Sequence, residues 1–142
     1  MNSLSIKGCQ ACGQCREKES CAVQDDMQLL YAELEGSDAI VIGSPVYFGQ
    51  VTAQTKAFLD RFYALMGPEG SKLRGKKLAL VYAQGNPNAQ SFQPYFDIAE
   101  RGYGFLGLKL KGTLLTTGSS GPGTKDREDL LERAKQIGAR LF

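Results

Sequence analysis

The chain contains no histidine and no tryptophan. Without imidazole, His-based catalytic triads, two-histidine iron sites and mixed Cys/His zinc sites are excluded. Long apolar runs are also lacking. Those present are strand-sized, far short of the roughly 20 residues that span a membrane, so no membrane association is expected. No sign of charge dominates: 17 Lys and Arg stand against 15 Asp and Glu. The basic residues are scattered, so no nucleic-acid partner is expected. Lys109 and Lys111, set among leucines, read as the exposed face of a strand. The opening MNSLSIKG has no apolar stretch of the secretory kind.

Cysteine is absent from everything after residue 21, yet Cys9, Cys12, Cys15 and Cys21 fall within thirteen residues, spaced C-x2-C-x2-C-x5-C. Thiolates this close can converge on one soft metal centre, and the C-x2-C-x2-C run is of the type that wraps a cubane [4Fe-4S] cluster. Zinc more often takes two C-x2-C knuckles separated by a longer loop, though a chance zinc site stays open. A further alternative is that the cysteines are small half-buried loop residues holding nothing. Arg16, Glu17, Lys18 and Glu19 point to a solvent-accessible loop. Thiols this dense would cross-link in an oxidising compartment, so a cytoplasmic, reducing location is expected.

At 142 residues the chain is expected to form one domain, 1–142, with a substantial core. Apolar periodicity alternates between strand and helix. Asp25-Asp26 cap a helix carrying Met27, Leu30, Tyr31 and Leu34, which Gly36 ends. Residues 39–43 form an apolar strand buried on both faces. The SPVYFGQ loop leads to a helix with Val51, Phe58, Leu59, Phe62 and Leu65 on one face, broken at Gly67-Pro68-Glu69-Gly70. Further strands fall at 78–82 and 110–117, the last nearer an edge. Between them lies a helix with Phe92, Phe96, Ala99 and Tyr103 on one side. A closing helix from about Asp126 carries a buried stripe of Leu130, Leu131, Ala134, Ile137 and Leu141. This alternation predicts βαβ units and a parallel sheet.

The loop from Gly118 to Lys125 is not a phosphate-binding P-loop, because Thr124 precedes Lys125 where Gly-Lys-[Ser/Thr] is required. It reads as a connector, at most a weak anion site. Asp25 and Asp26 read as a helix cap rather than an acid/base pair. Asp60 and Arg61 read as helix surface charge.

The segments IKGCQACGQC, SCAVQDDM and DAIVIGSPVYFGQVTAQTKAFLDR resemble the NADPH-dependent FMN reductase family of flavodoxin-like proteins, especially its iron–sulfur flavoproteins. GYGFLGLKLKGTLLTTGSSGPGTKD and the helix after it resemble that family's last strand and helix more loosely. The resemblance implies an α/β, flavodoxin-like three-layer sandwich with a parallel sheet. It also implies that the chain is N-terminally truncated. The family opens with a strand, a Gly-Asn-Thr phosphate-binding turn, a helix and a second strand, of which Met1 to Gly8 could supply only a tail.

The resemblance implies FMN. Its ring is expected over Ser44, Pro45, Val46, Tyr47, Phe48 and Gly49, with Gln84, Gly85 and Asn86 alongside. Both segments follow buried strands, at the carboxyl edge where open α/β sheets bind ligands. The aromatics could instead pack a core or dimer interface. The expected activity is an NAD(P)H-dependent, FMN-dependent oxidoreductase or electron carrier. Its partners would be a reduced nicotinamide or an electron-transfer protein, in a homo-oligomer. No catalytic residue is assigned. The competing expectation is a truncated non-catalytic remnant, or a metal-binding or oligomerisation module without flavin.

Overall fold

The structure, a computed structural model, describes residues 3–119 and 126–142. In chain order the helices are α1 (Gln14–Lys18), α2 (Met27–Gly36), α3 (Ala53–Asp60), α4 (Gln93–Phe105) and α5 (Glu128–Ala139). The strands are β1 (Ala39–Tyr47), β2 (Gln50–Val51), β3 (Met66–Gly67), β4 (Gly70–Ser71), β5 (Lys77–Ala83) and β6 (Lys109–Thr116). The chain divides into two compact units, one of Met1–Ser37 and Ala53–Arg74, the other of Asp38–Thr52 and Gly75–Phe142.

The second unit holds the main sheet, in the order β2-β1-β5-β6. β1, β5 and β6 are parallel, with Ile40 opposite Leu78 and Leu80 opposite Thr113. These are the three strands expected from the apolar runs; β1 and β5 are longer than their runs, and β6 is shifted one residue toward the N-terminus. β5 is central and buried on both faces: Leu78, Leu80 and Tyr82 are sealed on one side and Ala79 on the other. The α4 face is closed by Phe96, whose ring stacks on Tyr82 with centroids 4.6 Å apart. The Thr113 hydroxyl donates to the Glu100 carboxylate there at 2.8 Å. On the opposite face Gly112 meets α5, where an added Cβ would lie 2.8 Å from Ile137 Cγ1.

Two expectations for this unit need correction. β1 is not buried on both faces. Ile40, Ile42, Ser44 and Val46 are buried, but Val41 is 60% exposed. α5 packs on β6, two strands away, so nothing among the described residues seals β1's other side. The stripe on α5 is also narrower than its periodicity suggests. Leu130 is buried on the helix and Leu141 just past its end, while Leu131 and Ala134 are exposed. β6 is the sheet edge, and a helix lying on an edge strand has less surface to cover it. Residues 120–125 of the loop before α5, read as a connector, lie outside the described residues.

The first unit contains α1, α2, α3 and the β3–β4 hairpin, in which Met66 faces Ser71 across Pro68 and Glu69. α2 begins where expected: Asp25 Oδ1 accepts from Met27 N–H at 3.1 Å, and Met27 and Leu34 are buried. It ends at Gly36, after which Ser37 N–H reaches Glu33 O. α3 tightens into a 3₁₀ turn over Arg61–Leu65, with Phe62 edge-on to Phe58 at 4.9 Å. Val51, expected on this helix, belongs to β2. Among the described residues, 3–8 form no strand. Ser5 N–H donates to Asp26 Oδ2 at 2.7 Å and Lys7 N–H to Asp25 Oδ2 at 2.9 Å. No helix among the described residues is long and apolar enough to cross a membrane.

Candidate functional site

At the carboxyl end of the sheet, the segment read as a loop is mostly strand. β1 runs on through Tyr47, folds back through Phe48 and Gly49, and pairs with β2, Tyr47 opposite Gln50. Both turn residues have positive φ, 51° at Phe48 and 80° at Gly49. This is the primed two-residue hairpin whose twist matches that of its strands, and whose first position ordinarily takes Asn, Asp or Gly. A phenylalanine there is strained. Its ring is also fully exposed, and Tyr47 beside it is 64% exposed.

The hairpin is anchored from below. Ser44 Oγ accepts from Thr52 N–H at 3.1 Å and donates to Pro45 O at 2.8 Å. Tyr95 Oη accepts from Val51 N–H at 3.4 Å. The Phe92 ring lies 3.4 Å from where a Gly49 Cβ would stand. Phe92 was read only as a helix residue and Tyr95 was not singled out, since their contact with the hairpin joins segments far apart in the chain.

Strand register sets Pro45 beside Ala83, so the second segment leaves the sheet next to the first. Gln84 is wholly buried and continues the ladder, its N–H on Thr116 O at 2.9 Å. Its side-chain nitrogen donates to Asn86 O at 3.0 Å and Asn88 O at 2.9 Å, which curls the loop. Gln84 Oε1 is buried and has no hydrogen-bond partner among the described residues. Asn86 Oδ1 accepts from Asn88 N–H at 2.9 Å, so the Asn86 carbonyl serves the loop itself. A buried acceptor without a donor is costly and suits a ligand with an N–H or O–H edge, while the exposed Tyr47 and Phe48 at the end of the neighbouring strand offer flat apolar faces. A flavin has both, so the residues present fit FMN in kind.

The cysteines lie in the other unit. Cys9 and Cys12 are exposed, Cys21 is half-buried and Cys15 is buried. All four line one cavity of about 20 Å³, together with Arg61 and Tyr63. The loop carries left-handed backbone at Ala11, Gly13 and Glu19, and Ala11 N–H donates to Cys9 Sγ at 3.5 Å. Arg16 lies over the Tyr63 ring at 4.1 Å. A wider cleft of about 160 Å³ opens on Cys21, Tyr31 and Glu35. Among the described residues no three His, Cys, Asp or Glu side chains form a group able to hold a metal ion. The four thiols therefore share a cavity without converging on one ion. They match an iron–sulfur cluster in chemical kind, since each iron of a cubane takes its own thiolate. In volume the cavity has room for roughly one water.

Arg61, read from the sequence as surface charge, is fully buried and is the anchor of this loop. Its Nη1 donates to Asp25 Oδ2 at 2.6 Å and Lys7 O at 3.0 Å, Nη2 to Val23 O at 3.1 Å, and Nε to Tyr31 Oη at 3.2 Å. Asp25 is likewise more than a cap. Burial pushes its carboxyl up, but the Arg61 hydrogen bond and the N–H groups of Lys7 and Met27 outweigh that and hold it below the usual carboxylate value. Burial pushes the Tyr31 phenol up, as does its hydrogen bond to Cys21. The one sequence hint was a charged pair at the end of an apolar helix, which is ordinarily solvated.

Residues 2–93 match the NADPH-dependent FMN reductase family. The chain belongs to this family. An iron–sulfur flavoprotein of Archaeoglobus fulgidus is 34% identical over 145 residues, covering 99% of this chain and 61% of that protein. One from Methanosarcina thermophila is 36% identical over 88 residues, covering 62% of this chain and 46% of that protein. The chain thus spans less than two thirds of the length of either relative. A solved NADPH-quinone reductase from P. pentosaceus superposes with a TM-score of 0.65 at 16% identity, covering 78% of this chain and 73% of that one. That likeness is one of fold: α/β, flavodoxin-like, as expected for this FMN reductase family member.

Proposed function

We propose that the chain binds FMN at the carboxyl ends of β1 and β5 and acts as an NAD(P)H-dependent, FMN-dependent oxidoreductase. The observation that carries this reading is Phe48, a strained and fully exposed aromatic at a turn position that glycine or asparagine would fill more stably. Strain of that kind persists where a ligand uses it. Family membership and the unpartnered Gln84 Oε1 support the same place.

When bound, FMN supplies acceptance of a hydride from a reduced nicotinamide and onward release of electrons. The protein's residues supply position. Phe48 and Tyr47 offer aromatic faces to a flat ring. Gly49 turns the backbone back without a side chain. Ser44, with Pro45 and Val46, ties the base of the hairpin. Gln84 holds the Gly85–Asn86 loop and leaves an acceptor for a ligand N–H or O–H. No residue is assigned as a general acid or base, because the cofactor carries the chemistry.

The finer reading is that Cys9, Cys12, Cys15 and Cys21 hold a [4Fe-4S] cluster. Their common cavity, the N–H on Cys9 Sγ and the strained loop support it. The cavity is too small as it stands, so the exposed Cys9 and Cys12 would have to move outward to admit a cluster. The electron acceptor would be a protein or small oxidant outside this chain, and a homo-oligomer is the expected assembly.

Protein prepared without oxygen tests both readings. FMN fluorescence should quench on titration, and Phe48→Ala should weaken binding by about tenfold or more, the loss of one aromatic contact of roughly 1.5 kcal/mol. Equal affinity in Phe48→Ala would place the ring elsewhere, and no quenching at all would remove FMN from this chain. Iron and acid-labile sulfide near four each per chain support the cluster, and their absence leaves the cysteines as loop residues.

A further inference from the structure

Arg61 touches both ends of the cysteine loop at once. Lys7 precedes Cys9 by two residues and Val23 follows Cys21 by two, and one guanidinium holds the carbonyls of both. The guanidinium is itself fixed. Asp25 accepts from Nη1 on one side, with side-chain exposures of 0% for Arg61 and 3% for Asp25. Asp25 Oδ2 also accepts from Lys7 N–H. Tyr31 Oη accepts from Nε and donates to the Arg61 carbonyl at 3.2 Å. Arg61 also lines the thiol cavity. A planar fork with five donors can serve several acceptors in fixed directions, which an ammonium on a flexible stem cannot do equally well. A fully buried cation is costly unless its donors are paired, and four of the five N–H groups are used in this way.

We propose that Arg61, oriented by Asp25, is a positioning residue for the cysteine site. It clasps the two ends of the loop, sets their separation and so holds the four thiols around one cavity. The inference rests on reading the four thiols as one site, but not on which metal they take. Removing the fork lets the ends part while the rest of the chain stays folded. Cys15, the buried thiol, then becomes as open as Cys9 and Cys12.

The test compares the full chain with Arg61→Met and Arg61→Lys. In metal-free protein, iodoacetamide labelling of each cysteine is followed by peptide mass, and amide exchange is followed over 8–22 and over β5. In Arg61→Met, Cys15 labelling should quicken by about tenfold or more, the scale of one lost charged hydrogen bond. Exchange over 8–22 should quicken with it, and β5 should be unchanged. Arg61→Lys should fall between the two. Unchanged Cys15 labelling in Arg61→Met overturns the proposal, as does a matching rise in β5 exchange, which would make Arg61 a general stabiliser. If Arg61→Met does not fold, Arg61→Lys is read alone: faster Cys15 labelling with β5 unchanged supports the clasp, and wild-type rates overturn it. After anaerobic loading with iron and sulfide, less iron in the variants than in the wild type supports the clasp. Equal loading overturns its role in placing the thiols. A wild type that takes no iron ends the cluster reading, and the labelling result still judges the clasp.

Discussion

Phe48 sits where its backbone would rather have another residue. Left-handed φ costs a non-glycine side chain roughly 1–2 kcal/mol, less for asparagine, and its ring gains nothing from burial. Phe48→Asn should therefore raise the urea midpoint of flavin-free protein by the equivalent of about 1 kcal/mol, while weakening FMN binding. Lower stability in that variant would show the ring to be structural. Asp25 allows a prediction with a sign. Its carboxyl is held below the ordinary value of 3.8 by Arg61 and backbone N–H groups acting against burial. A depressed native pKa contributes stability that is fully present above the unfolded value and is lost as pH falls through the native one. Asp25→Asn leaves Arg61 buried without its counter-charge and should cost about 3–5 kcal/mol near neutrality. That gap from the wild type should shrink as pH drops below the ordinary carboxylate range. Denaturation curves across pH check it, and a gap constant with pH would mean that Asp25 acts by shape alone.

At the scale of elements, two glycines set how close segments can come. Gly112 lets α5 lie against β6, and a Cβ there would stand 2.8 Å from Ile137 Cγ1. Gly112→Ala should lower stability by about 1–3 kcal/mol, the usual cost of an overpacked contact. Gly112→Ala combined with Ile137→Val should recover part of that loss, and failure to recover would place the strain in the backbone. Gly49 faces a different constraint. Its φ of 80° is unfavourable to any side chain, and the Phe92 ring already stands at contact distance. Gly49→Val should unsettle the hairpin and weaken FMN together, unlike Phe48→Asn, which separates the two effects.

For the whole molecule, β1 presents an unsolved surface. Its edge away from β5 pairs with β2 only at Val46 and Tyr47, and Val41 is largely exposed on one face. Open strand edges with apolar faces associate unless charge or cover prevents it. If the expected homo-oligomer forms through a second copy at this surface, Val41→Lys should shift sedimentation toward the monomer. An unchanged mass would place the assembly elsewhere or show the chain to be monomeric.

Local pattern carried the element order, because apolar runs and helical periodicity are properties of neighbours in the chain. The strands around 39–43, 78–82 and 110–117, the stop at Gly36 and the crowding of four cysteines were all legible from that pattern. So was the placing of Ser44–Gly49 and Gln84–Asn86 at one sheet edge, since parallel strands deliver their carboxyl ends together. What the sequence alone could not show depends on distant partners. Arg61 reads as solvated charge until Lys7, Val23 and Asp25, 54, 38 and 36 positions away, close around it. The hairpin at Phe48–Gly49 was hidden because phenylalanine is a poor signal for that turn, and Val51 was drawn into the helix pattern that follows. Burial of β1 and α5 was overestimated because hydrophobicity marks which face can be covered, whereas strand order decides which face is. Sequence determined the main strands and helices and the chemistry they carry; tertiary structure decided the hairpins and which side chains meet, because those meetings are set by packing between segments far apart in the chain.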